Sequence, residues 1–281
     1  MAQIFSQGFI LNALLVSVVM GLMLSYLGVH VVGRGIVFVD LALGQISMLG
    51  VAFANFLEKD PTVIAIAFTM LGAFLMSFIN VKDKRLKQEA IIGILYAVAS
   101  AATVLFISKA PHGESDISEV LFGSLFTVTN RQIAIMAVVF ALMGLLHVIF
   151  RRKFFDLTEK FENHELEHIG IFNPWNFLFY LSIGLAIVLA VRAGGVIPVF
   201  SYIVVPPVAA ILVTHRKGAL VSIAMLVSLV GSFVGVYFSI YFDFPAGSSV
   251  VAVLGMIFLI AALLRFLLGK NKKAASLTNG G

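Results

Sequence analysis

Asp40 is the residue in this sequence that stands where physical chemistry least favours it. Ile36–Val39 precede it and Leu41–Leu43 follow it, so a carboxylate interrupts an apolar run. At membrane depth such a group costs about 2.5–3.5 kcal/mol on insertion scales, and it usually faces a bundle interior or a water-filled path. The chemistry open to it there is cation binding. The competing reading places Asp40 near an interface, paired with Arg34. Helical spacing puts Asp40, Gly44 and Ser47 on one face, with Gln45 offset from it and Met48 eight residues on. These five are the candidate path residues, and Asp40 and Gln45 are the candidate metal ligands. Pro206 and Pro207 lie within another apolar run. Each removes a backbone donor and clashes with the preceding turn, so the pair marks a path-lining break or hinge, or a static kink. Gly194, Gly195 and Pro198 form a second weak point just before it.

The histidines are scattered along the chain. His30, His147 and His215 flank or end apolar runs, His112 sits near Glu114 and Asp116, and His164 and His168 are spaced i, i+4. The His112 group could attract a cation and the i, i+4 pair could bind zinc. Solvated loop charges and a protein contact are the plainer readings. Enzymatic chemistry finds no support: there is no G-x-x-x-x-G-K-S/T, H-E-x-x-H or G-x-S-x-G. There are no cysteines, which excludes disulfides and thiolate metal sites.

The elements that carry these residues must sit in lipid. Of 281 residues, 60% are hydrophobic and 12% charged, against about 25% charged in soluble domains. A soluble fold needs more polar surface than this chain can supply. A span takes roughly 20 apolar residues. Nine segments qualify: 8–29, 36–56, 62–79, 90–107, 132–150, 175–191, 196–213, 219–241 and 250–268. The expected fold is an all-α, polytopic transmembrane bundle of eight or nine spans. It forms one domain over residues 1–269, with a disordered basic tail at 270–281. The N-terminus has no positive region of the signal-peptide kind.

The net charge of +5 does not point to nucleic acid, because the cations punctuate the apolar runs. Clusters at Lys82–Lys87, Arg151–Lys153, His215–Lys217 and Lys270–Lys273 all fall on one side when nine segments alternate. The positive-inside rule makes that side cytoplasmic, with the N-terminus outside and the C-terminus inside. The outer loop 109–131 contains an apolar stretch, Ser118–Thr129, that reads as a short helix. In the cytoplasmic loop 151–174, Glu159–His168 reads as an amphipathic helix ending near Gly170, with Pro174 beyond.

Five stretches, GRGIVFVDLALGQISMLGVAFA at 33–54, EAIIGILYA at 89–97, LFGSLFTV at 121–128, GVIPVFSYIVVPPVAAIL at 195–212 and FDFPAGSS at 242–249, follow one another in order. Together, over roughly Phe9 to Leu268, they resemble the metal-type (zinc/manganese/iron) family of ABC permeases. The resemblance implies a non-enzymatic permease in the bacterial cytoplasmic membrane, carrying a divalent metal as substrate and binding no cofactor itself. Two copies would form the pore, cytoplasmic ATPases would bind ATP and Mg, and an extracytoplasmic binding protein would deliver the ion. The cytoplasmic stretch containing Glu162, His164, Glu165, Glu167, His168 and Gly170 is similar to the helix that docks on the ATPase. In one respect the sequence departs from the family. With Gly50–Ala54 aligned, the family's Asp falls on Leu41 and its His on Gln45. Asp40 and Gln45 then form a variant site, or the ion differs, or the partner protein does the selecting. A stand-alone secondary transporter or channel is the other functional class that the composition allows.

Overall fold

The computed structural model describes residues 8–79, 87–109, 125–163, 165, 173–214 and 216–278, with side chains up to 267. Among the described residues there are ten α-helices and no strand. They are α1 (Gly8–Gly33), α2 (Val39–Phe56), α3 (Pro61–Ser77), α4 (Gln88–Ile107), α5 (Asn130–Ile149), α6 (Arg151–Glu162), α7 (Pro174–Gly194), α8 (Val196–Val213), α9 (Lys217–Phe242) and α10 (Ala246–Thr278). Eight are long and apolar enough to cross a membrane, and α3 is a ninth apolar helix of 17 residues. All nine coincide with the segments expected from hydropathy.

Local signals explain most boundaries. Asp60 caps α3 by accepting the Thr62 N–H at 2.7 Å, and Pro61 occupies the first turn. That backbone hydrogen bond holds the exposed Asp60 carboxyl below its ordinary range. Thr129 and Gln132 form a capping box at the start of α5. Asn173 accepts from Trp175 and Asn176 to start α7. At the end of α1 the Gly35 N–H donates to Val32 and the Ile36 N–H to Val31. Gly35 has φ of +66°, so this is a Schellman turn, which glycine adopts without strain.

The bundle has an inner and an outer set of helices. α1, α2, α7 and α8 bury more than half of their spanning windows, whereas α4, α5, α9 and α10 bury a third or less of theirs. α1 packs on α8 and α9, α2 on α3 and α4, and α9 and α10 close over α8. In lipid there is no hydrophobic drive between helices, so close approach depends on shape. The α1–α8 crossing shows this at Gly28. A Cβ there would overlap the Ile203 carbonyl oxygen and lie 2.9 Å from Pro207 Cγ. Pro207 has no N–H to offer the Ile203 carbonyl four residues earlier. The missing side chain of Gly28 lets α1 rest on the backbone that this leaves free.

Three segments differ from expectation. Where Glu159–His168 was expected to be helical, the described helix is Arg151–Glu162, set by Phe154, Leu157, Thr158 and Phe161, which recur at helical spacing and are buried together; residues 164 and 166–168 lie outside the described residues. Of the outer-loop helix expected at Ser118–Thr129, the described part is a 3-10 turn at Leu125–Thr127 followed by the Thr129 cap. α10 continues to Thr278, through residues expected to be a disordered tail. Its Lys, Ala and Leu content favours helix.

Candidate translocation path and its cytoplasmic junction

Asp40 stands in the first turn of α2 and is 2% exposed. Among the described residues no side chain hydrogen-bonds either carboxylate oxygen. Its place at a helix N-terminus favours negative charge, yet no cationic side chain among the described residues pairs with it. Pairing with Arg34 does not occur, because Arg34 is engaged elsewhere. Gly44, Ser47 and Met48 are buried on the same helix, as is Gln45. Gln45 points about 140° away from Asp40 around the helix axis, so the two do not share a face.

The face carrying Asp40, Gly44 and Ser47 looks onto the start of α8. A Cβ on Gly44 would meet the two Val196 methyls at 3.8 and 3.9 Å. Val196 follows Gly195, the single residue that joins α7 to α8. Gly195 has φ 83° and ψ 165°, a region nearly restricted to glycine. Two features that the sequence marks separately, the Asp40 face and the Gly194–Gly195 break, therefore meet. Gly195 ends one helix and starts the next, and Pro198 fits in the first turn of α8. Pro206 and Pro207 do not break α8, which runs through both with their side chains buried. Among the described residues, no three His, Asp or Glu side chains gather to hold a metal ion.

A second polar cluster, which sequence reasoning did not assemble, lies at the basic end of the bundle. Arg34, the residue after α1, is 6% exposed. Its Nε donates to Thr158 Oγ1 at 3.2 Å and its Nη1 to Asn176 Oδ1 at 3.0 Å. The guanidinium sits 3.5 Å from the Phe179 ring centroid and 5.3 Å from that of Phe161. Asn176 Nδ2 in turn donates to the Ser77 carbonyl at 2.9 Å. One side chain thus ties the ends of α1 and α3 to α6 and to the start of α7. Nη2 has no partner, and no carboxylate pairs with Arg34 among the described residues. Neutral oxygens and ring faces stabilise the charge, together with the C-terminal dipole of α1.

His30 and His147 complete this junction, with ring centroids 6.5 Å apart. The Thr158 hydroxyl donates to the Phe154 carbonyl at 3.0 Å. The His30 Nδ1–H must therefore donate to Thr158 Oγ1, at 2.9 Å, leaving Nε2 to accept from Tyr26. Ser182 likewise donates to Leu178, so His147 Nε2 donates to Ser182 at 3.1 Å. The His147 ring stacks on Phe154 at 4.0 Å. The sequence hints at this cluster only in placing His30, Arg34 and His147 at the same end of two spans.

On the opposite face of α6, Arg151, Arg152, Lys153, Glu159, Lys160 and Glu162 are exposed. Glu159 pairs with Lys217 of α9 at 2.7 Å. Of the expected docking residues, Glu162 ends α6 and Glu165 is exposed, its N–H donating to Lys160. His164, Glu167, His168 and Gly170 lie outside the described residues, as do His112, Glu114, Asp116 and His215.

Residues 6–265 match the ABC 3 transport family. The chain is 27% identical over 259 residues to the manganese transport system membrane protein MntC of Listeria innocua, covering 91% of this chain and 90% of that one. It is 28% identical over 279 residues to a probable iron transport system membrane protein of Haemophilus influenzae, covering 96% of each. Among solved structures, PsaBC from Streptococcus pneumoniae in complex with Fab shares the fold, with a TM-score of 0.76 over 92% of both chains at 24% identity. The chain therefore belongs to the ABC 3 transport family, as a multi-pass protein of the bacterial cytoplasmic membrane.

Proposed function

We propose that this chain is the membrane-spanning permease subunit of an ABC importer for a divalent metal ion, manganese or iron foremost, driven by a separate ATPase. The observation that carries this reading is Asp40: a buried carboxylate, without a side-chain partner among the described residues, on an inner helix of a transport-family bundle. A cation passing that face would offset the cost of keeping the carboxylate away from water. Relatives named for manganese and iron transport match nearly end to end, which supports the substrate class.

In this mechanism two copies of the chain flank the path and an extracytoplasmic protein delivers the ion. Asp40 attracts the ion, Gly44 and Ser47 leave a narrow polar strip beside it, and the Gly195 corner closes over the strip. ATPase movement reaches the permease through α6 and the following stretch, which includes Glu162 and Glu165. Thr158 on the inner face of α6 bonds Arg34, and the Schellman turn at Gly35 leads from Arg34 to Asp40 in six residues. Displacement of α6 is thereby passed to the start of α2.

The test is co-purification with the ATPase partner, reconstitution into vesicles, and uptake of manganese, iron and zinc with and without ATP. ATP-dependent uptake of at least one ion is expected. Uptake that proceeds without any ATPase subunit would replace this reading with a stand-alone transporter or channel.

A further inference from the structure

An apolar cleft of about 520 Å³ opens between α8, α9 and α10, at the basic end of the bundle that the positive-inside rule makes cytoplasmic. Leu212, Ile223, Val227, Ile257 and Ile260 form much of its walls, and Ala209 and Ala261 make the hollow by being small. Its volume is in the range of specific small-molecule sites, ~300–1,000 Å³. Val213, Ile260 and Leu264 are more than half exposed, so the cleft opens sideways, toward where lipid tails lie.

Among the described residues, the one charged residue lining the cleft is Arg265. It makes a single long hydrogen bond, from Nη1 to the Ile211 carbonyl at 3.4 Å, and no ion pair among the described residues. A guanidinium has five N–H donors, so most of its capacity faces outward at the cleft mouth. Arg216 and Lys217 start α9 at the same end of the bundle, and Glu159 already neutralises Lys217. The mouth is therefore a net cationic rim at the level of the inner leaflet, whose surface carries anionic lipid.

We propose that this cleft is a binding site for one acidic phospholipid, its acyl chain between Ala209 and Ala261 and its phosphate on Arg265. The tail gains nothing hydrophobic by leaving its neighbours, because the bilayer is as apolar as the cleft. Shape holds the tail, and charge selects the headgroup. A single Arg near the membrane surface favours an anionic over a zwitterionic headgroup by about fivefold.

The test uses the full chain in nanodiscs of equal phosphatidylglycerol and phosphatidylcholine, each spin-labelled in turn. The immobilised lipid fraction is read by electron paramagnetic resonance. The wild type is expected to immobilise phosphatidylglycerol about fivefold in preference to phosphatidylcholine. Arg265→Gln should bring that ratio to about one, and Arg265→Lys should keep it above one. Ala261→Trp, which fills the hollow, should remove the immobilised fraction while leaving the thermal unfolding profile in place. A ratio near one in the wild type, or one that Arg265→Gln leaves unchanged, would overturn the site. So would displacement of the lipid by inorganic phosphate alone, since the tail would then contribute nothing. Cross-linking of Leu264→Cys to its twin in a second copy would assign the cleft to a protein interface instead.

Discussion

Replacing Arg34 with Lys keeps the buried charge but removes the planar fork. Lysine cannot reach Thr158 and Asn176 together, and it does not stack flat on Phe179. At least one hydrogen bond from a charged donor is lost, worth about 1.5–3 kcal/mol. Part of a desolvated cation–π contact, about 1–2 kcal/mol, goes with it. Because the charge is unchanged, the burial cost does not fall in compensation, and the junction should weaken by about 2–4 kcal/mol. Trp175 is the protein's one tryptophan, and it packs against Phe150 and Phe154 with ring centroids at 4.9 and 6.0 Å. Its fluorescence therefore reports locally on whether α6 is seated. In detergent micelles, Arg34→Lys should bring the Trp175 transition to a lower temperature than the loss of helical circular dichroism. Thr158→Val should have a similar effect, and the double variant should fall short of the sum by about 0.5–3 kcal/mol. In vesicles with the ATPase, ATP turnover per ion imported should rise. If the two optical transitions stay coincident at the wild-type temperature and the two variants add, Arg34 is not the tie between α6 and α1.

Asp40→Asn should abolish or strongly reduce metal uptake while leaving expression and ATPase co-purification intact, because the volumes match and only the charge is lost; normal uptake by this variant would remove Asp40 from the path. Gly28→Ala pushes a methyl into the Ile203 carbonyl and the Pro207 ring, so unfolding should become easier by about 1–3 kcal/mol, visible as a lower melting temperature in micelles. Gly195→Ala must hold a backbone region nearly closed to alanine, at about 1–3 kcal/mol, and should slow uptake more than it lowers ATPase binding. The Lys217–Glu159 pair is half exposed on both sides, so Lys217→Ala should change stability by about 0–1 kcal/mol, an effect that vanishes in high salt.

Hydropathy made all nine apolar helices legible, eight of them long enough to span, because a lipid-spanning helix must be apolar over its whole length. The cytoplasmic helix was legible in type but not in extent. Its charged outer face drew attention to Glu159–His168, while the inner face at Phe154, Leu157, Thr158 and Phe161 sets the true start. Asp40 stood out through its residue type alone. What surrounds it did not, since Gly44 and Val196 are 152 positions apart in the chain. The Arg34 junction was hidden for the same reason: its hydrogen bonds span 124 and 142 residues, and Thr158 and Asn176 are ordinary polar residues until folding places them there. The proline pair suggested a path-lining break or hinge, or a static kink; α8 runs through both prolines, and Gly28 makes room for the Ile203 carbonyl that Pro207 cannot hydrogen-bond.

With one residue between them, α7 and α8 behave like the arms of a pair of callipers riveted at Gly195. Their joined ends cannot drift apart, so relative motion must appear as divergence of the free ends. An arm of 21 residues is ~32 Å long at 1.5 Å per residue, so a swing of about 10° at the rivet carries its tip by roughly 5 Å. The tip of α7 bears Asn176, which Arg34 grips. On the proposed transport cycle, opening the callipers would require Arg34 to release Asn176, and a small rotation at the rivet beside Gly44 would change the room next to Asp40.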